Sequence, residues 1–250
     1  MGILRAEGLW LERSTPDGPL PVLRGIDLDI PTGRVTVMLG ETGAGKTLLA
    51  RALSGLLPEE LRLSRGQVLY RGRAMDGPGS WDGVRGGEIF YAPQNAAASF
   101  NPVLTIGRQI RECCRIEEGE LRELLARLRF ADPDRILRSY PFALSGGENQ
   151  RCLLALGLAC CAGVLILDEP TSEIDATAQE DFVGVLSEYQ RSRSLTVLLI
   201  SHHLDFVRSI AQNLCVLFRG EVVAAGDPRS VLGSPAHAYT REIAAYLSQD

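Results

Sequence analysis

GETGAGKT, residues 40–47, contains Lys46, the only lysine of this 250-residue chain; every other one of the 26 Lys and Arg residues is arginine. The stretch fits the phosphate-loop pattern G-x-x-x-x-G-K-[ST] at every fixed position and lies between a short apolar segment and a predicted helix start. In such a loop the backbone N–H groups turn toward phosphate oxygens, and the helix adds its positive end. A compact ammonium reaches the β- and γ-phosphates of a nucleotide, whereas a planar guanidinium does not sit in the cradle in the same way, which explains the single lysine. The sequence therefore predicts a nucleotide-phosphate site, with a Mg²⁺-binding hydroxyl on Thr47, formed by Gly40, Glu41, Thr42, Gly43, Ala44, Gly45, Lys46 and Thr47.

Two acidic residues, Asp168 and Glu169, directly follow a second short apolar segment, residues 164–167. The end of a parallel strand is where ligands bind in open α/β folds. We expect Asp168 to hold Mg²⁺ through water and Glu169 to polarise the water that attacks the nucleotide. Alone, such a pair is equally typical of a solvated loop; the phosphate loop elsewhere in the chain favours the catalytic interpretation.

Segments typical of strands and helices alternate along the chain. Strands are predicted at 26–30, 35–39, 66–70, 88–91, 164–167 and 195–200, and helices at about 45–56 and 178–190. This alternation predicts an α/β fold with a parallel sheet covered by helices. Residues 214–218 and 221–225, joined at Arg219-Gly220, predict a hairpin. Between about 95 and 155 the pattern is helical, with helices at 105–115 and 120–130 and breaks at Pro133 and Pro141.

Five further motifs resemble those of the ATP-binding cassette (ABC) ATPases, and they occur in the family's order. They are YAPQ (91–94), the signature LSGGENQR (144–151), the Walker B segment LILDEP (165–170), the D-loop TSEID (171–175) and the switch segment ISHH (200–203). The resemblance implies a P-loop NTPase (RecA-like) ABC ATPase core with an antiparallel β edge and an inserted helical subdomain. Residues 1–94 and 156–250 would form the catalytic core, and residues 95–155 the helical, signature-bearing subdomain.

The resemblance also implies a role for each matching residue. ATP would lie between the phosphate loop of one subunit and the signature of another. Gln94 would touch Mg²⁺ and sense a membrane partner, so that Thr47, Gln94 and Asp168 form the metal set. His202 would bind the γ-phosphate as a neutral imidazole donor, the alternative being a histidine at the edge of the core. The signature residues expected at the nucleotide are Ser145, Gly146, Gly147 and Glu148.

This chain departs from the family pattern at several positions. Glu148 replaces the usual glutamine of the signature, and His203 stands where aspartate is common. In the D-loop, Glu173 and Ile174 replace a small residue and leucine. Simple alignment places Arg13 near the position of the family's adenine-stacking aromatic, with Trp10 close by. Arg13 could stack as a planar cation, and Trp10 is equally typical of a core residue.

Two segments resemble one branch of the family, the oligopeptide and nickel importers. NAAASFNP (95–102) follows Gln94 as it does there, and SPAHAYTREI (234–243) resembles their Pro-x-His-x-Tyr-Thr-Arg segment. The short remainder of the chain looks more like the nickel or metal–metallophore members. We therefore expect a subunit that powers uptake of nickel, a metal complex or short peptides. Its partners would be membrane permease subunits, a second ABC ATPase (a heterodimer, or alternatively a homodimer) and, indirectly, an extracellular solute-binding protein.

Composition limits the alternatives. The formal charge of −5, without a block of basic residues, gives no nucleic-acid footprint, which argues against an ABC protein that acts on DNA or ribosomes. A small-molecule kinase or GTPase would have no reason to contain LSGGE. The amino terminus lacks a signal-peptide pattern, and the apolar run 152–167 is too short for a membrane span. The six cysteines, with no CxxC, are interpreted as buried apolar residues in a reducing cytoplasm. The resemblance to importer ATPases implies a peripheral protein on the cytoplasmic face of the inner membrane.

Overall fold

The computed structural model describes residues 2–160, 163–174 and 176–248. The strands are β1 (Leu4–Thr15), β2 (Gly18–Ile30), β3 (Val35–Gly40), β4 (Leu61–Tyr70), β5 (Arg73–Ala74), β6 (Ile89–Ala92), β7 (Val164–Asp168), β8 (Thr196–Ile200), β9 (Asn213–Phe218) and β10 (Glu221–Gly226). The helices are α1 (Lys46–Leu53), α2 (Ile106–Cys113), α3 (Glu118–Arg127), α4 (Pro133–Arg138), α5 (Gly146–Cys160), α6 (Ala176–Arg193), α7 (Asp205–Ser209), α8 (Pro228–Gly233) and α9 (Ala238–Leu247). Short 3-10 turns cover Pro78–Trp81, Ala97–Ser99 and Pro141–Ala143.

A six-stranded sheet forms the centre of the molecule, in the order β10-β9-β3-β8-β7-β6. All neighbouring strands in it are parallel except β9 and β10, which form the predicted hairpin. Every residue of β3, β7 and β8 is buried, as expected for strands covered on both faces. The α/β class predicted from the sequence is therefore confirmed, and the carboxyl ends of β3, β6, β7 and β8 meet at one edge.

A second, antiparallel sheet, in the order β2-β1-β4-β5, packs over α1. Leucines of β1 and β2 share one buried cluster with Leu49 of α1 and with Met38 and Ile166 of the central sheet. Most of this sheet was not predicted: β1 is absent from the sequence prediction, and β2 and β4 were predicted only at their carboxyl ends. The reason is that register shifts interrupt the β1–β2 and β1–β4 ladders, so the two-residue alternation of apolar side chains is broken.

Along the chain, helices α2 to α5 come between β6 and β7. They bury a common apolar face that includes Ile110, Leu124 and Ile136. The predicted helices 105–115 and 120–130 correspond to α2 and α3, with ends shifted by a few residues. Pro133 does not break a helix but begins α4 at a position that needs no N–H donor, where Asp132 caps the helix by accepting the amide of Arg135 at 2.9 Å.

The prediction that the cysteines are buried is wrong for Cys113, which is exposed at the end of α2, and Cys160 is half-buried. Cys114, Cys152 and Cys215 are buried, and Cys161 lies outside the described residues. Cys113 is exposed because it ends a helix whose buried face runs through Ile106 and Ile110. Within the described ranges, no helix combines the length and the hydrophobicity needed to cross a membrane.

Candidate functional site

A cavity of about 680 Å³ opens at the edge where the parallel strands end, within the range of about 300–1,000 Å³ that is typical of small-molecule sites. Most of the residues predicted to bind nucleotide line this one cavity, although they come from five separate parts of the chain. Those lining it are Arg13, Glu41, Thr42, Gly43, Gly45, Lys46, Thr47, Gln94, Glu169 and His202. Gly40, Ala44 and Asp168 are buried beneath it.

The phosphate loop has the backbone that its glycines permit. Gly43 and Gly45 have φ angles of 82° and 104°, in the left-handed region that a side chain disfavours. Gly40 allows a close approach of β9, because a Cβ there would lie 2.5 Å from the carbonyl oxygen of Leu217. These constraints form the tight turn between β3 and α1 that the sequence pattern predicts.

Lys46 is buried at the start of α1, and its ammonium bonds to the loop itself. Nζ donates to the carbonyl oxygens of Gly40 at 2.6 Å and Glu41 at 3.1 Å. Burial lowers the pKa of Lys46 from its ordinary value of 10.5, while the charges of Glu169 and Asp168 oppose that shift. The side chain is thus held under the loop by two backbone carbonyl oxygens, at the cavity where a triphosphate would bind.

Asp168 ends β7 almost completely buried, and its two oxygens have different surroundings. Oδ2 accepts the hydroxyl of Tyr91 at 3.0 Å, whereas Oδ1 has no hydrogen-bond partner among the described residues. Burial, together with the charge of Asp168, raises the pKa of Tyr91 well above its ordinary value, so Tyr91 remains a neutral donor. An unpaired buried carboxylate oxygen fits a metal-bound water.

Within the described part of the chain, no three His, Cys, Asp or Glu side chains are grouped closely enough to hold a metal ion by themselves. A Mg²⁺ ion bound beside Asp168 would therefore take most of its ligands from phosphate oxygens and water, which is this ion's usual behaviour. The residues present fit ATP with Mg²⁺ on these grounds.

Glu169 and His202 are in direct contact across the mouths of β7 and β8. Nδ1 of His202 lies 2.9 Å from Oε2 of Glu169, and the amide of Glu169 donates to the carbonyl of Ile200 at 2.9 Å. Glu169 has a φ of 50°, an unusual value for a residue with a side chain. Since a carboxylate only accepts, Nδ1 carries the proton, and a neutral His202 then presents an acceptor, Nε2, to the cavity. The neutral ring cannot donate to Glu169 and to a phosphate at the same time.

Arg13, on β1, lines the cavity together with Pro21 and Val22. The hairpin turn that carries Arg219 lies beside Val22, because a Cβ on Gly220 would lie 2.5 Å from the Val22 carbonyl oxygen. The turn is held to the phosphate loop because the amide of Gly220 donates to the carbonyl of Ala44 at 3.0 Å. Sequence reasoning missed Arg219 and Tyr91. Arg219 was placed in a turn, but only the pairing of β9 with β3 brings that turn over the loop.

The signature residues lie in a different part of the folded molecule. Ser145, Gly146 and Gly147 line a separate cavity of about 230 Å³ together with Arg151 and Glu173. A single chain therefore does not bring the predicted signature contacts to its own phosphate loop. The last D-loop residue, Asp175, lies outside the described residues.

Glu148 lines neither of these two cavities and closes the start of α5. Its Oε2 accepts the amide of Ser145 at 2.9 Å, and its own amide donates to the hydroxyl oxygen of Ser145 at 3.2 Å. This reciprocal pair is a capping box, and the carboxylate also pairs with Arg135. Burial raises the pKa of Glu148, but the Ser145 amide and Arg135 outweigh it and hold the pKa below its ordinary value. The Glu148 side chain, which was predicted to contact nucleotide, is thus already bonded to Ser145 and Arg135.

The chain matches the family model described as ABC transporter over residues 23–172, more than half of its length. The chain belongs to the ABC transporter family. The oligopeptide transport ATP-binding protein AmiE of Streptococcus pneumoniae is 35% identical to this cassette, over 99% of the cassette and 73% of AmiE. The dipeptide transport ATP-binding protein DppD of Bacillus subtilis is 29% identical, over 96% of the cassette and 75% of DppD.

A solved structure described as a dimeric bacterial ABC transporter cassette, MJ0796, superposes with a TM-score of 0.80, covering 90% of this cassette and 99% of that chain. The two share 19% identity, so this likeness shows the fold alone. Membership of the family establishes that the cassette is an ATP-binding ATPase, and the RecA-like core with its antiparallel edge and helical insertion is the family fold.

Proposed function

We propose that this cassette hydrolyses ATP to power import of short peptides through separate membrane permease subunits. The observation that carries the catalytic part is the convergence of Lys46, Gln94, Glu169 and His202 on one cavity at the carboxyl edge of the sheet. The solute class is supported by the printed names of AmiE and DppD, which are peptide transport proteins.

In this proposal each residue has a role that follows from its position. Lys46 and the loop amides hold the triphosphate, and Glu169 accepts the proton of the water whose oxygen bonds to the γ-phosphorus as the bridging oxygen leaves with the β-phosphate. Thr47, Gln94 and Asp168, the last through water, would hold Mg²⁺. When bound, that ion supplies positive charge against the phosphate oxygens. Arg13 stacks on adenine, and Arg219 lines the same cavity.

His202 positions Glu169 and binds the γ-phosphate. The Nδ1 contact keeps the Glu169 carboxylate at the mouth of β7. To donate to the phosphate, the ring must either carry a second proton or break its contact with Glu169 and turn. In the second case, binding of the γ-phosphate to His202 would release the Glu169 carboxylate to act as the general base.

A second cassette completes the site. The signature of this chain lies in its own cavity, apart from its phosphate loop, so nucleotide is enclosed only when the signature of another subunit covers it. The partner is a second ABC ATPase, either a different subunit or a second copy.

The helical subdomain, residues 95–155, transmits closure of the pair to the permease, and residues 1–94 and 156–250 form the catalytic core. Helix α5 runs through residue 155, so it joins the signature rigidly to the core. Gln94, two residues after the end of β6, links the nucleotide to this subdomain. The cassette then works at the cytoplasmic face of the membrane, and an extracellular binding protein delivers the solute.

Nickel or a metal–metallophore complex, the solute favoured by the sequence, gains no support from the names of these relatives, so peptides are the better proposal. The alternative of an ABC protein that acts on DNA or ribosomes gains none either, because the family model and both relatives are described as transport proteins.

The test is the Glu169→Gln variant, studied as purified protein and in cells. We expect ATP hydrolysis to fall by about 10²–10⁴-fold, because a general base is removed, while binding of ATP is retained. In cells, uptake of a radiolabelled dipeptide falls with it, and uptake of radiolabelled nickel does not change.

The matched control is Glu59→Gln, which removes the same charge from an exposed loop after α1 and lines neither cavity. If Glu169→Gln lowered nickel uptake instead of dipeptide uptake, the solute would be wrong and the ATPase role would stand. If hydrolysis were unaffected, the proposed catalytic role of Glu169 would be wrong.

A further inference from the structure

Glu173, the residue that departs from the small residue usual in the D-loop, lies directly against the signature glycines. A Cβ placed on Gly146 would overlap Oε2 of Glu173, and a Cβ on Gly147 would lie 2.7 Å from the carbonyl oxygen of Glu173. The carboxylate therefore occupies the space above the first residue of α5, in the cavity that Ser145, Gly146 and Gly147 line.

The position of Glu173 is held by neighbouring side chains. Its amide donates to Oε1 of Gln150 at 3.2 Å, and Nε2 of the same glutamine donates to the hydroxyl of Ser172 at 2.9 Å. Gln150 is buried on α5, and Ile174 on the other side is buried as well. The D-loop backbone is thus fastened to the signature helix, so the Glu173 side chain starts from a fixed position beside the glycines.

The charge of Glu173 is not matched locally. Among the described residues, no cation forms an ion pair with it. Arg151, which lines the same cavity, donates instead to the carbonyl oxygens of Gly147, Leu128 and Arg129 and lies over the ring of Phe130. Arg135 is paired with Glu148. The amino end of α5, whose partial positive charge would attract a phosphate, therefore has the Glu173 carboxylate in front of it.

We propose that Glu173 weakens the grip of this signature on the γ-phosphate of a nucleotide held by the opposing cassette, so that this chain supplies the weaker signature of a pair. The proposal rests on the proposed function, in which the signature closes over a partner's nucleotide. Glu173 is exposed in the single chain, where water screens its charge, but closure of the pair would remove that water and strengthen the repulsion. A partner whose D-loop has a neutral residue at this position would make the two composite sites unequal.

The test uses the hydrolysis-deficient Glu169→Gln chain as the reference, so that ATP persists. The dissociation constant of its dimer is measured by sedimentation in saturating Mg-ATP, and then again with Glu173→Gln or Glu59→Gln added. We expect Glu173→Gln to lower the dimer dissociation constant by about tenfold or more, because two carboxylates leave the interface of two copies. Glu59→Gln should change nothing, and Glu173→Asp, which keeps the charge, should not reproduce the gain.

Equal dissociation constants for Glu173→Gln and Glu59→Gln, including the case in which both remain monomeric, overturn the proposal. A gain with Glu173→Asp equal to that with Glu173→Gln also overturns it, since size rather than charge would then be responsible. The proposed function is tested apart from this by binding of a fluorescent ATP analogue to the single chain. Binding that depends on Lys46 leaves the ATPase role standing even where the Glu173 proposal fails.

Discussion

The phosphate loop and the signature are two glycine-rich helix starts with opposite electrostatics. At the start of α1, Lys46 is only 9% exposed, and no acidic residue lies in the first turn of the helix. At the start of α5, Glu148 lies in the first turn, and the Glu173 carboxylate lies over Gly146. Both places are helix N-termini, but only the phosphate loop has glycines with positive φ, Gly43 and Gly45. A buried cation lies at one helix start, and carboxylates lie at the other.

We expect this difference to make nucleotide binding stronger at the phosphate loop than at the signature. The phosphate loop is complete within one chain, with its cation buried beneath it. The signature, by contrast, uses its first-turn acid to cap its own helix, so that its remaining attraction for phosphate depends on backbone amides and the hydroxyl of Ser145.

The largest expected effect is on the phosphate-loop side. Lys46→Ala should weaken ATP binding by about 100-fold or more, because hydrogen bonds from a charged donor are worth about 1.5–3 kcal/mol each. Titration with a fluorescent ATP analogue measures it, with Arg73→Ala on exposed β5 as the control. Lys46→Arg should lose nearly as much, since the guanidinium does not fit where Nζ lies 2.6 Å from the Gly40 carbonyl. If Lys46→Ala bound ATP as tightly as the native chain, the phosphate loop would not owe its affinity to the buried cation, and the contrast with the signature would fail.

The two signature glycines should differ in their tolerance of a side chain. Gly147→Ala should lower the free energy of unfolding by about 1 kcal/mol or more, because its Cβ meets a backbone carbonyl that cannot easily move. Gly146→Ala should stay within about 0.5 kcal/mol of the native chain, since Glu173 can swing away and alanine favours the helix. Urea unfolding measures both variants. Equal losses at the two positions would show that the Glu173 side chain is packed as firmly as its backbone.

The smallest effect concerns the capping acid of the signature. Glu148→Gln should lower the free energy of unfolding by about 0.5–1 kcal/mol at pH 7, because the charge facing Arg135 and the helix start is lost. The folded-state pKa of Glu148 lies below its ordinary value of 4.5, so the stabilisation is present above the unfolded-state pKa and is lost as the pH falls through the folded-state pKa.

Urea unfolding of the native chain and of Glu148→Gln between pH 7 and pH 3 measures this difference. The difference in unfolding free energy between the two proteins should become smaller below pH 4.5 and stay constant above it. A gap that is constant across this range would show that the carboxylate contributes by its hydrogen bonds and not by its charge, and Glu59→Gln should show no gap at any pH.

Local patterns were sufficient where one physical requirement dominates a segment. The strand before the phosphate loop was predicted from its β-branched residues and its bounding glycines, which suit a short strand buried on both faces, as β3 is. The β9–β10 hairpin was predicted from its Arg-Gly turn. In contrast, β1 was missed because register shifts break its alternation, and the burial of Cys113 was wrong because the end of α2 is exposed.

The sequence by itself determined the family and predicted the chemistry: a phosphate loop with the chain's single lysine, two acids after a strand, a signature and a switch histidine in the order of one family. Those signals are local, since each depends on residue types at fixed short spacing. The tertiary structure decided which of these groups share a cavity, that Tyr91 bonds to Asp168, that Arg219 stands over the loop and that Glu173 faces the signature glycines. Such contacts join residues far apart in the chain through strand order and helix packing, and no spacing along the sequence records them.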